Sequence, residues 1–307
     1  MIMPGTTGRQ GPALPSDLQH KIDRLERPAL AKAVPGSALT LGVPEIDARL
    51  PWGGLAPASL HAISGAAGVT PAIGFAAALL GRAVRNGAKD TVLWCRRGRD
   101  LYAPGLSAFG LSAGNLIVID VAEDRDMLWA MEEGLRSGAV AAVLGEPRSP
   151  SPTALRRLQL AAETGGTMAL LLAGGGKGGG SVSSMGTSMT HWRVGAAARD
   201  GVHEMAGAGG WPGPSRWRLD LLRCRGGAAG SWLVEWLGQG QEEQQREQKA
   251  KMQEGYANDN TGVSTPTLGN RIGAPGRLRL VEPLRHGSDR AAADADRAVA
   301  EPVRVAV

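Results

Sequence analysis

Residues 60–75 read Leu60-His-Ala-Ile-Ser-Gly-Ala-Ala-Gly-Val-Thr-Pro-Ala-Ile-Gly-Phe75: an apolar strand, a glycine turn and a helix start in immediate succession. That is the layout of a phosphate-binding loop, whose working form is G-x-x-x-x-G-K-[ST]. Backbone N–H groups cradle the phosphates, the Lys reaches the outer ones and the hydroxyl holds Mg²⁺. Counted from Gly65, the second Gly falls on Thr70, the Lys on Pro71 and the hydroxyl on Ala72. Pro71 also removes a backbone donor, because its ring nitrogen carries no hydrogen. The turn, with Gly65 and Gly68 in it, still launches a helix: Thr70 is an N-cap residue type and Pro71 suits the first helical position. The stretch therefore predicts a degenerate phosphate loop that keeps its shape and does not hydrolyse ATP.

Working outward, Leu39 to Leu50 and the glycine turn Pro51-Trp-Gly-Gly-Leu55 lead into this strand, and a helix over Ala72–Arg85 follows it. That helix is apolar nearly all round, which implies burial against a sheet. Then come a strand Thr91–Cys95, a helix around Leu101–Phe109, a strand Leu116–Ile119 and a helix Asp124–Ser137 that opens with acids, as the helix dipole prefers. A strand Val140–Leu144, a helix Ser151–Thr164 and a strand Met168–Leu172 complete the alternation. This cadence predicts an α/β core with a mostly parallel sheet and flanking helices. After a Gly- and Ser-rich loop starting at Gly174, three alternating runs (His191–Val194, Trp217–Cys224 and Ser231–Trp236) read as antiparallel edge strands, the last two joined by a hairpin through Arg225–Gly230. Trp192, Trp217, Trp232 and Trp236 fall in these runs and read as sheet packing.

The flanks differ in composition. Residues 1–37 read as a flexible N-terminus with one short helix over Ser16–Glu26, residues 38–237 as the core domain, and residues 238–307 as a polar linker and a largely disordered tail. Gly276-Arg-Leu-Arg-Leu-Val-Glu-Pro-Leu-Arg285 stands out in that tail as a compact basic and apolar segment. It reads as a docking peptide or as inert tail.

Composition narrows the function classes. The net charge of +5 resides before Leu237, since the ten basic residues beyond it are balanced by ten acidic ones. So modest an excess permits nucleic-acid contact without requiring it. No apolar run approaches the roughly 18 residues of a membrane span, and the first residues lack the pattern of a secretory signal, so a cytoplasmic protein is expected. Cys95 and Cys224 read as buried thiols, and His20, His61, His191, His203 and His286 show no ligand spacing; neither a metal nor a cofactor is expected.

The order of blocks from "LTLGVPEIDARLPWGGLAPASLHAISG" through "NGAKDTVLWC" to "FGLSAGNLIVI" resembles the core of the RecA family. Four further blocks, "LWCRRGRDLYAPGLSAFGL", "LWAMEEGLRSGAVAAVLGE", "RRLQLAAETGG" and "RWRLDLLRCRGGAAGSWLVEW", resemble those of a divergent branch, the alphaproteobacterial ImuA proteins. The resemblance places an activating carboxylate just after the second strand, where this chain has Arg96-Arg-Gly-Arg99. It places a Mg²⁺-supporting Asp at the end of the fourth strand, where Leu144-Gly-Glu146 offers only a Glu beyond a Gly. Phosphoryl chemistry needs the Lys, the hydroxyl and these acids. Their joint loss predicts a binding module and not an enzyme.

What the resemblance implies is an accessory factor of damage-induced (SOS) translesion DNA synthesis and mutagenesis. Its implied partners are RecA, an ImuB-like Y-family polymerase homologue and, indirectly, the alpha subunit of an error-prone replicative-type DNA polymerase. Two alternatives remain: a SulA-type cell division inhibitor, and a residual RecA-like ATP- or single-strand-binding protein. Candidate contacts for a partner's acids or a DNA backbone are Arg96, Arg97 and Arg99 at the mouth of the second strand, Lys177 in the glycine loop, and Arg277 and Arg279 in the tail. No aromatic residue lies between Ala173 and Met189, so any DNA contact there is expected to be weak.

Overall fold

In a computed structural model, residues 38–98, 101–173, 187–198, 214–238 and 276–284 are described. The expected leading helix over Ser16–Glu26, the glycine loop with Lys177, Arg99, and the polar segment after Gln239 lie outside them.

Among the described residues one sheet of nine strands runs through the molecule. In chain order these are β1 (Leu60–Gly65), β2 (Val92–Arg96), β3 (Leu116–Asp120), β4 (Ala142–Gly145), β5 (Met168–Ala173), β6 (Thr190–Ala196), β7 (Arg216–Cys224), β8 (Gly230–Leu237) and β9 (Arg277–Leu284). Their spatial order is β3-β2-β4-β5-β1-β6-β7-β8-β9. From β3 to β6 every pairing is parallel, and from β6 to β9 every pairing is antiparallel. The predicted α/β class is thus the observed one.

Three long helices follow from local sequence. α1 (Thr70–Asn86) buries Ala72, Phe75, Ala76, Leu79 and Leu80. α2 (Asp124–Ser137) starts with acids and stops where Gly138 takes φ 63. α3 (Pro152–Gly165) is capped by the Ser151 hydroxyl, which accepts from the Ala154 N–H at 3.2 Å. The segment expected as a helix around 101–109 is instead a 3-10 helix over Ala103–Phe109, ended by Gly110 at φ 82.

The helices divide the molecule into two apolar layers. α1 and the lead-in residues Leu39, Leu41 and Ile46 pack on one sheet face, together with Trp192, Trp217, Trp232 and Trp236. These indoles form one aromatic chain with Phe75 and Phe109, with ring centroids 5.7 to 6.4 Å apart. Such pairs add roughly 0.5–1.5 kcal/mol each beyond the area they bury. α2 and α3 pack on the other face, over Leu60, Leu93, Cys95, Val143 and Leu171. The lead-in is fastened by the Asp47 carboxylate, which accepts from the N–H groups of Leu41 (2.7 Å) and Gly42 (2.9 Å).

The tail departs from expectation. Residues 277–284, read from sequence as a docking peptide or inert tail outside the core, form β9 and extend the sheet. Gly276 permits this, because a Cβ there would lie 2.5 Å from the Trp236 ring. Leu278 is buried opposite Trp236, and Arg279 pairs with the buried Glu235 of β8. Pro283, which cannot donate to a ladder, is tolerated because β9 is an edge strand.

Candidate functional site

The turn between β1 and α1 is built on glycine. A Cβ at Gly65 would lie 1.8 Å from the Gly68 carbonyl oxygen, so the turn folds tightly back over its own first residue. Gly68 takes φ 109, a conformation that L side chains rarely adopt. The helix starts one residue earlier than its residue types predict. Val69 is the N-cap, with its carbonyl accepting from the Ile73 N–H at 2.9 Å, Thr70 is the first helical residue and Pro71 the second. Thr70 therefore caps nothing; Pro71 still sits where a missing N–H leaves no helical bond unmade. The turn is tied to the sheet by the Ala66 N–H, which donates to the Val194 carbonyl of β6 at 2.8 Å.

At the carboxyl ends of β2 and β3 the two described arginines of the expected cluster are engaged within the fold. Arg96 donates to Asp120 at 2.6 Å and to the Leu101 carbonyl at 3.2 Å. Arg97 pairs with Asp124, the first residue of α2. Asp124 also accepts the backbone N–H groups of Arg148 and Ser149 at 3.0–3.1 Å, joining the β4–α3 loop to α2. Burial alone pushes the Asp124 carboxyl up, but those N–H groups and Arg97 outweigh it and hold it below the usual carboxylate range. Arg97, Asp120, Glu123 and Arg148 line an open depression of ≈ 580 Å³ here, so its walls carry both signs of charge. Glu146, the displaced carboxylate after β4, accepts the indole N–H of Trp94 at 2.7 Å.

Two histidine networks carry no signal in the sequence, because their partners lie far along the chain. His61 is buried. Its Nε2–H donates to the Ala56 carbonyl at 2.8 Å, which leaves Nδ1 to accept from Thr190 Oγ1 at 2.8 Å. Thr190 Oγ1 in turn accepts the Trp192 indole N–H at 3.0 Å. His191 faces the other way: its Nε2–H donates to Ser64 Oγ at 3.1 Å, and Ser64 donates to the Trp192 carbonyl at 3.2 Å. Burial, with Arg193 and Arg223 adding to it, pushes the His191 pKa down to about 4. The His191 ring is thereby held neutral, and both rings are hydrogen-bonded, β1 to β6. Burial pushes the Cys95 thiol up to about 12 and Cys224 up to about 11; both are free thiols, and neither is activated as a nucleophile. Among the described residues no group of three or more His, Cys, Asp or Glu converges as metal ligands would, and no helix is long and apolar enough to cross a membrane.

The remaining sequence candidates do not converge on one site. Arg277 and Arg279 lie on β9, at the opposite end of the sheet from Arg96 and Arg97 on the β2 side.

No family model matches the chain. Among solved structures, SulA from Pseudomonas aeruginosa aligns at 19% identity over 38% of this chain and 98% of that one, with a TM-score of 0.33, which is too low to argue from. Among curated proteins, Protein ImuA from two strains of Caulobacter vibrioides is 35% identical over 211 residues, covering 66% of this chain and 84% of that protein. At that identity and coverage, the chain belongs to the ImuA family.

Proposed function

We propose that this protein is a non-catalytic accessory factor of damage-induced (SOS) translesion DNA synthesis and mutagenesis. It acts by binding RecA and an ImuB-like Y-family polymerase homologue, and through the latter an error-prone replicative-type polymerase. Family membership supports the pathway. The β1–α1 turn supports the absence of catalysis, and it is the observation that carries that half of the reading. It holds no lysine, Ala72 stands where the metal-binding hydroxyl belongs, Pro71 lacks a backbone donor, and the Gly68 carbonyl oxygen packs close against Gly65. Arg96 and Arg97 stand where an activating carboxylate is needed, and Glu146 is occupied by Trp94. These residues do not fit a nucleoside triphosphate with Mg²⁺.

The test is damage-induced mutation frequency in a strain deleted for this gene, with cell length scored in the same cultures. Mutation frequency falling to the uninduced level while filamentation persists is the expected result. Persistent mutagenesis with loss of filaments would move the protein to the division-inhibitor class. The non-catalytic half is tested separately by titrating ATP into the purified protein and following tryptophan emission. Trp94 donates to Glu146 just after β4, so a saturable change at millimolar ATP would favour the residual nucleotide binder, and release of phosphate from that ATP would overturn the non-catalytic half.

A further inference from the structure

Over β6 to β9 the two sheet faces have opposite chemistry. One carries the tryptophans. On the other, among the described residues, no helix packs, since α2 and α3 cover the β1 to β5 part of that side. Strand alternation and the observed register bring six arginines to this open face. Arg193 of β6 lies opposite Asp220 of β7, and His191 opposite Arg223; Arg216 of β7 and Arg279 of β9 both lie opposite Glu235 of β8; Arg218 and Arg277 take the intervening positions.

Two carboxylates organise the grid. Asp220 accepts from Arg193 at 3.0 Å and from Arg218 at 3.0 Å. Glu235 accepts from Arg216 at 2.8 Å and from Arg279. The carboxylate side chains are only 6% and 2% exposed, whereas Arg193, Arg218 and Arg279 are 46%, 42% and 50% exposed. Each acid is thus sunk beneath two guanidinium groups. Each trio carries one surplus positive charge and holds its forks in place with N–H donors to spare. Arg223 is exposed and adds to the surplus, and Glu282 at the far end of β9 is the one exposed carboxylate on this face among the described residues.

We propose that this arginine face binds the sugar–phosphate backbone of nucleic acid without sequence preference. The site is distinct from the glycine loop that the RecA resemblance singles out, and it does not depend on the proposed role in mutagenesis. Guanidinium forks match phosphate oxygens bidentately, and fixed forks lose less freedom on binding. A protein partner fits less well, because stable protein interfaces need apolar anchors at their centre. The large exposed apolar side chains among the described residues lie elsewhere, except for Val281 at the β9 bulge. Among the described residues no aromatic side chain on this face offers base stacking, since Trp192, Trp217, Trp232 and Trp236 all point to the opposite one.

The test is fluorescence anisotropy of labelled mixed-sequence oligonucleotides, single- and double-stranded, with the full-length protein between about 50 and 200 mM salt. Binding is expected to weaken with a log–log slope near −3, as for about four phosphates neutralised. The variant R193Q/R223Q/R279Q leaves one arginine on each buried carboxylate. It is expected to bind at least tenfold more weakly, with a slope shallower by about 2. Circular dichroism and the melting temperature verify its fold; if it fails to fold, R193Q/R223Q, which keeps both Glu235 pairs, is expected to lose about fivefold. No binding of wild type to either oligonucleotide at 50 mM salt, or equal affinity of a folded variant, would overturn the proposal. So would binding of poly-glutamate without binding of DNA, which would reassign the face to an acidic protein.

Discussion

A methyl group at position 65 would lie 1.8 Å from the Gly68 carbonyl oxygen, and backbone cannot yield as a flexible side chain does. Gly65→Ala is therefore expected to destabilise the protein by roughly 2–4 kcal/mol, in the range of backbone strain combined with overpacking, and chemical denaturation measures it. An unchanged midpoint would mean that the turn is looser than described. His191 makes a second prediction at this scale. Its folded pKa is about 4, against about 6.5 for an unfolded histidine. Between those values the unfolded chain binds the extra proton, so stability is intact above about pH 6.5 and falls as the pH drops towards 4. The full effect is at most roughly 3 kcal/mol. Urea midpoints from pH 7 to 4 should show this fall, and His191→Gln, which keeps a donor for Ser64, should remove that share of it.

At the scale of elements, β9 is the strand whose loss is most informative. It is held by Leu278 under Trp236 on the aromatic face and by Arg279 on Glu235 on the opposite face. Truncation after Gly238 uncovers Trp236 and takes Arg279 away from the buried Glu235, and is expected to cost roughly 2–4 kcal/mol while the other eight strands stay folded. A full-length melting temperature in the truncated protein would show that β9 contributes nothing to the core. The alternation of apolar runs with helices made β1 to β5 legible in the sequence, because a parallel strand covered on both faces has to be a continuous apolar run, and alternating apolar and polar residues marked the antiparallel β6 to β8. β9 was not legible in that way. Its eight residues sit in a Gly-, Pro- and Arg-rich stretch, and their apolar positions acquire meaning only against Trp236 and Glu235, distant in sequence. The site was half legible for the same reason. The missing lysine at Pro71 can be read directly, but the carboxylates that engage Arg96 and Arg97 are 24 and 27 residues further on, and no local pattern announces them.

Across the whole molecule, burial is graded along the sheet. Every residue of β4 and β5 is buried, and the first four of β1 are too, because both apolar layers meet on these strands. β3 lies at the outer edge, and Ile117 and Val118 are 51% and 36% exposed even though its sequence, Leu-Ile-Val-Ile, is as apolar as that of a central strand. Apolar content alone therefore does not place a strand; the two layers do, and they thin out at β3, where Leu116 and Ile119 pack against them while Ile117 and Val118 stay exposed. Amides open with free energies that follow this kind of packing, from near zero at edges to the global value in the core. Native-state hydrogen exchange should accordingly find the slowest amides in β4, β5 and β1, exchanging only by global unfolding. In β3, the N–H groups that face away from β2 should exchange almost freely. If instead all β3 amides were as protected as those of β5, its outer edge would have to be paired by something beyond the described residues. Repeating the exchange at lower protein concentration would tell a second copy, whose protection would fade on dilution, from a segment of the same chain, whose protection would not.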